Sequence, residues 1–148
     1  MTRLGWIMTA LVALFLLGAS AAPKLIGASV ALEPMAVVGW PAKYLLLIGL
    51  IEVACAILFV IPRTGLLGAV LLTGLLGAAL AANLRVDNPL FSHTLFSLYL
   101  GVFAWAALWL RDPRIRAVFP SSARVRVPAL DRDPHIYWAA SRSRKPPD

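Results

Sequence analysis

Four stretches of mostly apolar residues, at 4–22, 44–61, 65–83 and 93–110, restrict this chain more than any other feature of its sequence. About 20 helical residues, rising 1.5 Å each, cross the ~30 Å hydrocarbon layer of a bilayer. No water reaches the backbone there, so a span has to satisfy its own N–H and C=O groups, as an α-helix does. Pro62-Arg63-Thr64 is so short a connection that the second and third spans must be antiparallel neighbours. The expected architecture is an all-α transmembrane four-helix bundle over residues 1–120. A basic tail rich in Pro and Arg follows at 121–148, with a composition unsuited to packing. Hydrophobic residues make up 60% of the chain, against about 45–50% in soluble proteins.

The ends of the spans can be read from their flanks. Arg3, the first apolar run and Ala19-Ser20-Ala21 imitate a secretory signal. The run is nevertheless longer than a signal core, and its small residues Ala10, Gly18 and Ala22 suit helix packing, so the expectation is a retained first helix. Residues 25–41 contain Glu33-Pro34 and end in Gly39-Trp40-Pro41, where two prolines discourage a continuous helix. That segment is expected at the interface or dipping back toward the bundle. Trp40, Tyr44 and Lys43 suit a headgroup layer, and Trp105 and Trp109 with Arg111 suit the other. Along the third span Gly65, Ala69, Thr73, Gly77 and Ala81 recur every four residues beside a second small row, Gly74, Ala78 and Ala82, which marks it as the central packing helix. Arg3, Arg63 and the cluster Arg111, Arg114, Arg116, Arg124 and Arg126 outnumber Lys24, Lys43 and Arg85 on the other side. The positive-inside rule then puts both termini in the cytoplasm of a bacterial-type inner membrane. The net charge of +7 is accounted for by anionic lipid headgroups, with no nucleic-acid partner implied. Cys55 is the sole cysteine and reads as a buried structural thiol.

One residue does not belong in this apolar setting. Glu52 lies at the middle of the second span, where an ionised carboxylate costs roughly 2.5–3.5 kcal/mol on insertion scales and normally has a partner.

The chain resembles the DoxX-like family of small four-helix membrane proteins through an ordered set of short pieces. These are Gly18 with Lys24-Leu25, Gly39-Trp-Pro41, Gly49-Leu-Ile-Glu52, Ile61-Pro-Arg63, Gly68-Ala69, Gly77-Ala78 and Leu110-Arg-Asp-Pro-Arg114. The likeness runs from about Gly5 to Pro120 and leaves the tail out. It implies a four-helix bundle with a glutamate in its second span. The family name comes from a subunit associated with a terminal quinol oxidase, and relatives are linked with thiosulfate:quinone oxidoreduction or membrane oxidoreductase assemblies.

Glu52 can then serve as a proton carrier or as a hydrogen-bond partner for a quinone-like headgroup, or it can simply fix helix packing. Gly49, on the same helical face, leaves room for a partner or ligand. Lys24, Asn83, Arg85 and His93 are expected near the outer ends of their spans, converging at a mouth of the bundle. Glu52 lies about 13 Å deeper than Lys43 by helical rise, so a direct ion pair from the mouth needs a long side chain reaching inward or a re-entrant Lys24 segment, and the expected link runs through water. Lys24 and Arg85 have an ordinary alternative as headgroup-snorkelling side chains, and His93 as an interfacial histidine.

No cofactor of the chain's own is expected. His93 and His135 lie in different regions, no Cys/His spacing suits zinc, and Ser20, Ser92 and Ser97 lack an evident base. Arg111-Asp-Pro-Arg-Ile-Arg116 reads first as a positive stop after the last helix and second as a docking site. In the tail, Arg142-Ser-Arg-Lys145 reads as a solvated basic run and His135-Ile-Tyr-Trp138 as a segment able to rest on lipid. The leading expectation is an accessory subunit of a quinone-linked membrane redox assembly, with oxidoreductase subunits as partners. The alternatives are a small proton-coupled carrier, in which the bundle can form a homo-oligomer, and a non-catalytic helper in membrane-protein assembly.

Overall fold

A computed structural model describes residues 2–118, and every regular element among them is helical. The expectations for the tail, including His135, lie outside the described residues. The first span, Arg3–Leu25, is built from α1 (Thr2–Leu14), a π-helical segment (Phe15–Ala21) and α2 (Ala22–Leu25). Helix α3 (Ser29–Val37) follows, then a single 3-10 turn (Ala42–Tyr44) that leads into α4 (Leu45–Val60). Helix α5 (Gly65–Arg85), a π-helical turn (Leu90–Thr94), α6 (Phe96–Arg111) and the short α7 (Pro113–Val118) complete the order. Four of these runs are long and apolar enough to cross a membrane. Their outward aliphatic residues, such as Leu46, Leu50, Ile51, Leu67 and Val70, are exposed in the single chain, as suits contact with lipid.

The core lies between the spans. Val12 and Leu16 of the first meet Ala56 and Phe59 of α4, Ala69 and Leu72 of α5, and Ala104 and Leu108 of α6. Cys55 is buried there as a free thiol. Helices α4 and α5 come into backbone contact at Gly68, where an added Cβ would lie 2.6 Å from the carbonyl carbon of Leu58 and clash with the backbone of Phe59.

The packed face of α5 consists of Gly65, Gly68, Ala69 and Leu72. Of the row expected at four-residue spacing, only Gly65 and Ala69 are on it; Thr73, Gly77 and Ala81 are exposed. A helix turns once in 3.6 residues, so a strict four-residue row drifts off any straight packing face within about three turns.

Trp105 is tied to α5 by a hydrogen bond. It lies well inside α6, and its indole N–H donates to the Thr73 hydroxyl at 2.9 Å, while Thr73 donates to the Ala69 carbonyl at 2.8 Å. On a surface facing lipid, where no water is available, an indole N–H and a hydroxyl are best satisfied by each other.

Arg111 reads from sequence as the first residue of an exposed basic stop, yet it is only 7% exposed. Its guanidinium turns inward, donating to the carbonyls of Phe59 and of Val60, the latter at 3.3 Å, and lies 5.0 Å from the Trp6 ring centre and 4.9 Å from that of Phe59. Those carbonyls belong to the last turn of α4, where the helix has no partners of its own to offer and the dipole favours a cation. Gly65 leaves room for the guanidinium, since a Cβ there would sit 2.5 Å from Arg111 Nη2, and Gly5 lets the α1 and α6 backbones close, since a Cβ there would sit 2.6 Å from the Arg111 backbone nitrogen.

At the opposite end, α3 forms where two prolines argued against a continuous helix. Pro34 sits inside its nine residues and forfeits only the N–H that would reach Val30. Gly27 (φ +67°) and Gly39 (φ +77°) adopt the left-handed backbone on either side of α3, and Arg85 donates to the Val38 carbonyl at its C-terminal end.

Candidate functional site

Glu52 lies halfway along α4 and is 4% exposed. Its Oε2 accepts a hydrogen bond from Lys24 Nζ at 2.7 Å, so the link expected to pass through water is a direct ion pair. Three local features shorten the distance. The first span continues as helix to Leu25 instead of stopping at Ala22, and helical side chains lean toward the N-terminus, here toward the membrane interior. Gly49 removes the last obstacle: a Cβ there would lie 3.0 Å from Lys24 Cβ and 3.2 Å from Leu25 Cδ2. The Lys24 backbone therefore rests level with Gly49, one helical turn from Glu52 along α4.

The π-helical segment ends just ahead of Pro23. The Ala22 N–H bonds back five residues to the Leu17 carbonyl, and Pro23 has no N–H with which to resume the usual pattern. Lys24 supplies a donor to this region. Besides Glu52, its ammonium donates to Ser20 Oγ at 2.7 Å and to the Ser20 carbonyl at 3.1 Å. An ammonium has three N–H donors, and these three acceptors use them all.

Beside this cluster is a cavity of about 860 Å³. Ser20, Pro23 and Lys24 border it from the first span, while α3 and the residue that ends it contribute Val30, Met35 and Val38 and α5 contributes Leu75, Ala78, Ala79 and Ala82. Polar groups are confined to a few places. Glu33 and Trp40 join the lining, and so do Asn83, Asn88 and His93. Asn88 donates to the Asn83 side-chain oxygen at 2.7 Å, and Asn83 donates to the Ala79 carbonyl at 2.8 Å. The His93 Nδ1 is 2.8 Å from the Ser92 hydroxyl, and the buried Thr94 donates to the Asn88 carbonyl at 3.1 Å, tying the π-helical start of α6 to the turn before it. Apolar walls with a few fixed polar groups, in a volume of roughly 300–1,000 Å³, are the usual make-up of a small-molecule site.

Lys24, Asn83 and His93 thus border one cavity. Arg85 does not line it and instead holds the end of α3, a wall of the cavity, through Val38. Glu52 and Gly49 stand behind Lys24, outside the lining. Ser20, which reads from sequence only as a nucleophile without a base or as part of the signal-like Ala19-Ser20-Ala21, is the further polar residue of this site. Its position four residues before Lys24, one turn along a helix, was the available signal. Among the described residues, no three His, Cys, Asp or Glu side chains come together as a metal site.

Four apolar helices around a charge-balanced lysine–glutamate pair define a small multi-pass membrane protein of the four-helix type. The model of the DoxX-like family matches residues 7–107, and the chain belongs to that family. No curated protein and no solved structure matches it.

Proposed function

We propose that this protein is an accessory subunit of a membrane redox assembly and binds a quinone-type amphiphile in the cavity beside Lys24. The observation that carries this reading is the cavity itself, an apolar space of about 860 Å³ with its polar groups confined to a few places. The small residues Ala78, Ala79 and Ala82 offer a low, flat wall to a planar ring, and Met35, Val38 and Leu75 suit an alkyl tail. Lys24 is neutralised by Glu52, so an uncharged headgroup fits without leaving a buried charge unpaired. A bound quinone would supply two-electron, two-proton chemistry. The residues of this chain hold and orient it, and oxidoreductase partners exchange the electrons. The same pairing weakens the carrier reading, whose motive was a lone titrating carboxylate in the membrane. The excess of Arg3, Arg63 and Arg111 at one end supports cytoplasmic termini, with the cavity toward the other face.

One preparation tests these points together. Carrying a C-terminal green fluorescent protein, the chain is expected to fluoresce in intact cells, as that fusion does on the cytoplasmic side. Purified from native membranes, it is expected to retain extractable quinone and oxidoreductase subunits. Ala79→Trp, which fills the cavity, is expected to lose the quinone at least tenfold while staying monodisperse. Equal quinone in the wild type and Ala79→Trp would sink the cavity as its site.

A further inference from the structure

We infer that Ser20 is the hydrogen-bond donor of this cavity, and that it selects a headgroup carrying an uncharged acceptor oxygen. The inference rests on the reading of the cavity as a ligand site and adds the group that recognises the ligand. An ammonium can only donate, so in the 2.7 Å contact between Lys24 Nζ and Ser20 Oγ the hydroxyl oxygen is the acceptor. The Ser20 proton must then point elsewhere. A helical serine commonly returns it to the carbonyl one turn back, but among the described residues Ser20 Oγ makes no bond as a donor. Ser20 is half-buried and borders the cavity, so this O–H is available to whatever occupies it.

Two further features sharpen the preference. The three N–H groups of Lys24 are all engaged, so a ligand meets the serine proton and not a spare ammonium donor. The ammonium also withdraws charge from the hydroxyl it bonds, which strengthens the O–H as a donor along the chain Glu52, Lys24, Ser20. Because Glu52 balances Lys24, this hydrogen-bonded trio carries no net charge to attract an anion. A carbonyl oxygen matches such a donor; a hydrocarbon of the same shape leaves it unsatisfied in an apolar space.

The test uses the full chain in nanodiscs with two probes, decylubiquinone and decylbenzene. Binding of decylubiquinone is read from quenching of Trp40, which borders the cavity, after subtracting the signal of the other tryptophans, measured in Trp40→Phe. Decylbenzene is read by competition. Ser20→Ala is expected to weaken decylubiquinone about tenfold, equivalent to ~1.4 kcal/mol, and to leave decylbenzene unchanged. Ser20→Thr, which keeps the hydroxyl, is expected to bind decylubiquinone within about twofold of the wild type. Equal weakening by Ala and Thr would show a packing role and overturn the donor assignment, as would saturable binding unaffected by Ser20→Ala. If the wild type shows no saturable quenching at all, the ligand site falls and the inference falls with it.

Discussion

Lys24→Met is expected to destabilise the bundle by about 3–5 kcal/mol, the cost of leaving one member of a buried ion pair without its partner. Glu52 bears that loss: its side chain is 5% exposed, it sits midway along a membrane-spanning helix, and Lys24 is its one ion-pair partner among the described residues. The reciprocal change should cost less. In Glu52→Gln the ammonium keeps both Ser20 acceptors, and the Lys24 side chain, at 20% exposed, is the more accessible member of the pair. About 1–3 kcal/mol is expected there, the range for a compromised buried hydrogen bond. Removing both charges in Lys24→Met/Glu52→Leu should recover most of the stability lost in Lys24→Met, since an apolar pair of similar volume often replaces a buried ion pair at little cost. Unfolding in detergent, followed by intrinsic fluorescence, gives the three differences. A double variant as unstable as Lys24→Met would mean that the pair does not act as a unit.

At the other end of the bundle, Arg111→Ala is expected to cost roughly 3 kcal/mol or more. The substitution orphans the Phe59 and Val60 carbonyls at the end of α4, at about 1–3 kcal/mol for each that stays buried. It also removes the cation from between the Trp6 and Phe59 rings, a contact worth about 0.5–2 kcal/mol per ring. Arg111→Lys should recover less than half of this, because a point-charge ammonium cannot span two carbonyls and stack on two rings at once. Both variants are read in the same unfolding assay. An Arg111→Ala protein of wild-type stability would return Arg111 to the role of an exposed basic stop.

Much of the fold was legible in the sequence because lipid leaves few options. A run of about twenty apolar residues must be helical, and a three-residue connection such as Pro62-Arg63-Thr64 must bring neighbours back antiparallel. Glu52 stood out for the same reason, as a group too costly to be incidental at that depth. Less legible was whatever depended on how deeply one helix sits against another. Lys24 reads from sequence as a mouth residue beyond a first span that ends at Ala22; continued helix to Leu25 and the missing side chain of Gly49 bring it to Glu52. Arg111 was expected at the surface because its neighbours are basic. Only the tertiary structure shows the space that Gly65 leaves for its guanidinium and the unpartnered carbonyls it meets. The cavity could not be read from the sequence, since its walls come from segments far apart in the chain, including α3, whose prolines argued against a helix.

We propose above that a quinone-type amphiphile occupies the space between α3 and α5 beside Lys24. Photolabelling of the full chain in native membranes with an azidoquinone, followed by mass spectrometry of the labelled peptides, tests it most directly. The expected labels fall on cavity residues within 30–38 and 75–83 and disappear when excess decylubiquinone is added. Labels confined to lipid-facing positions such as Leu46, Leu50 and Val102, and not removed by the competitor, would contradict it.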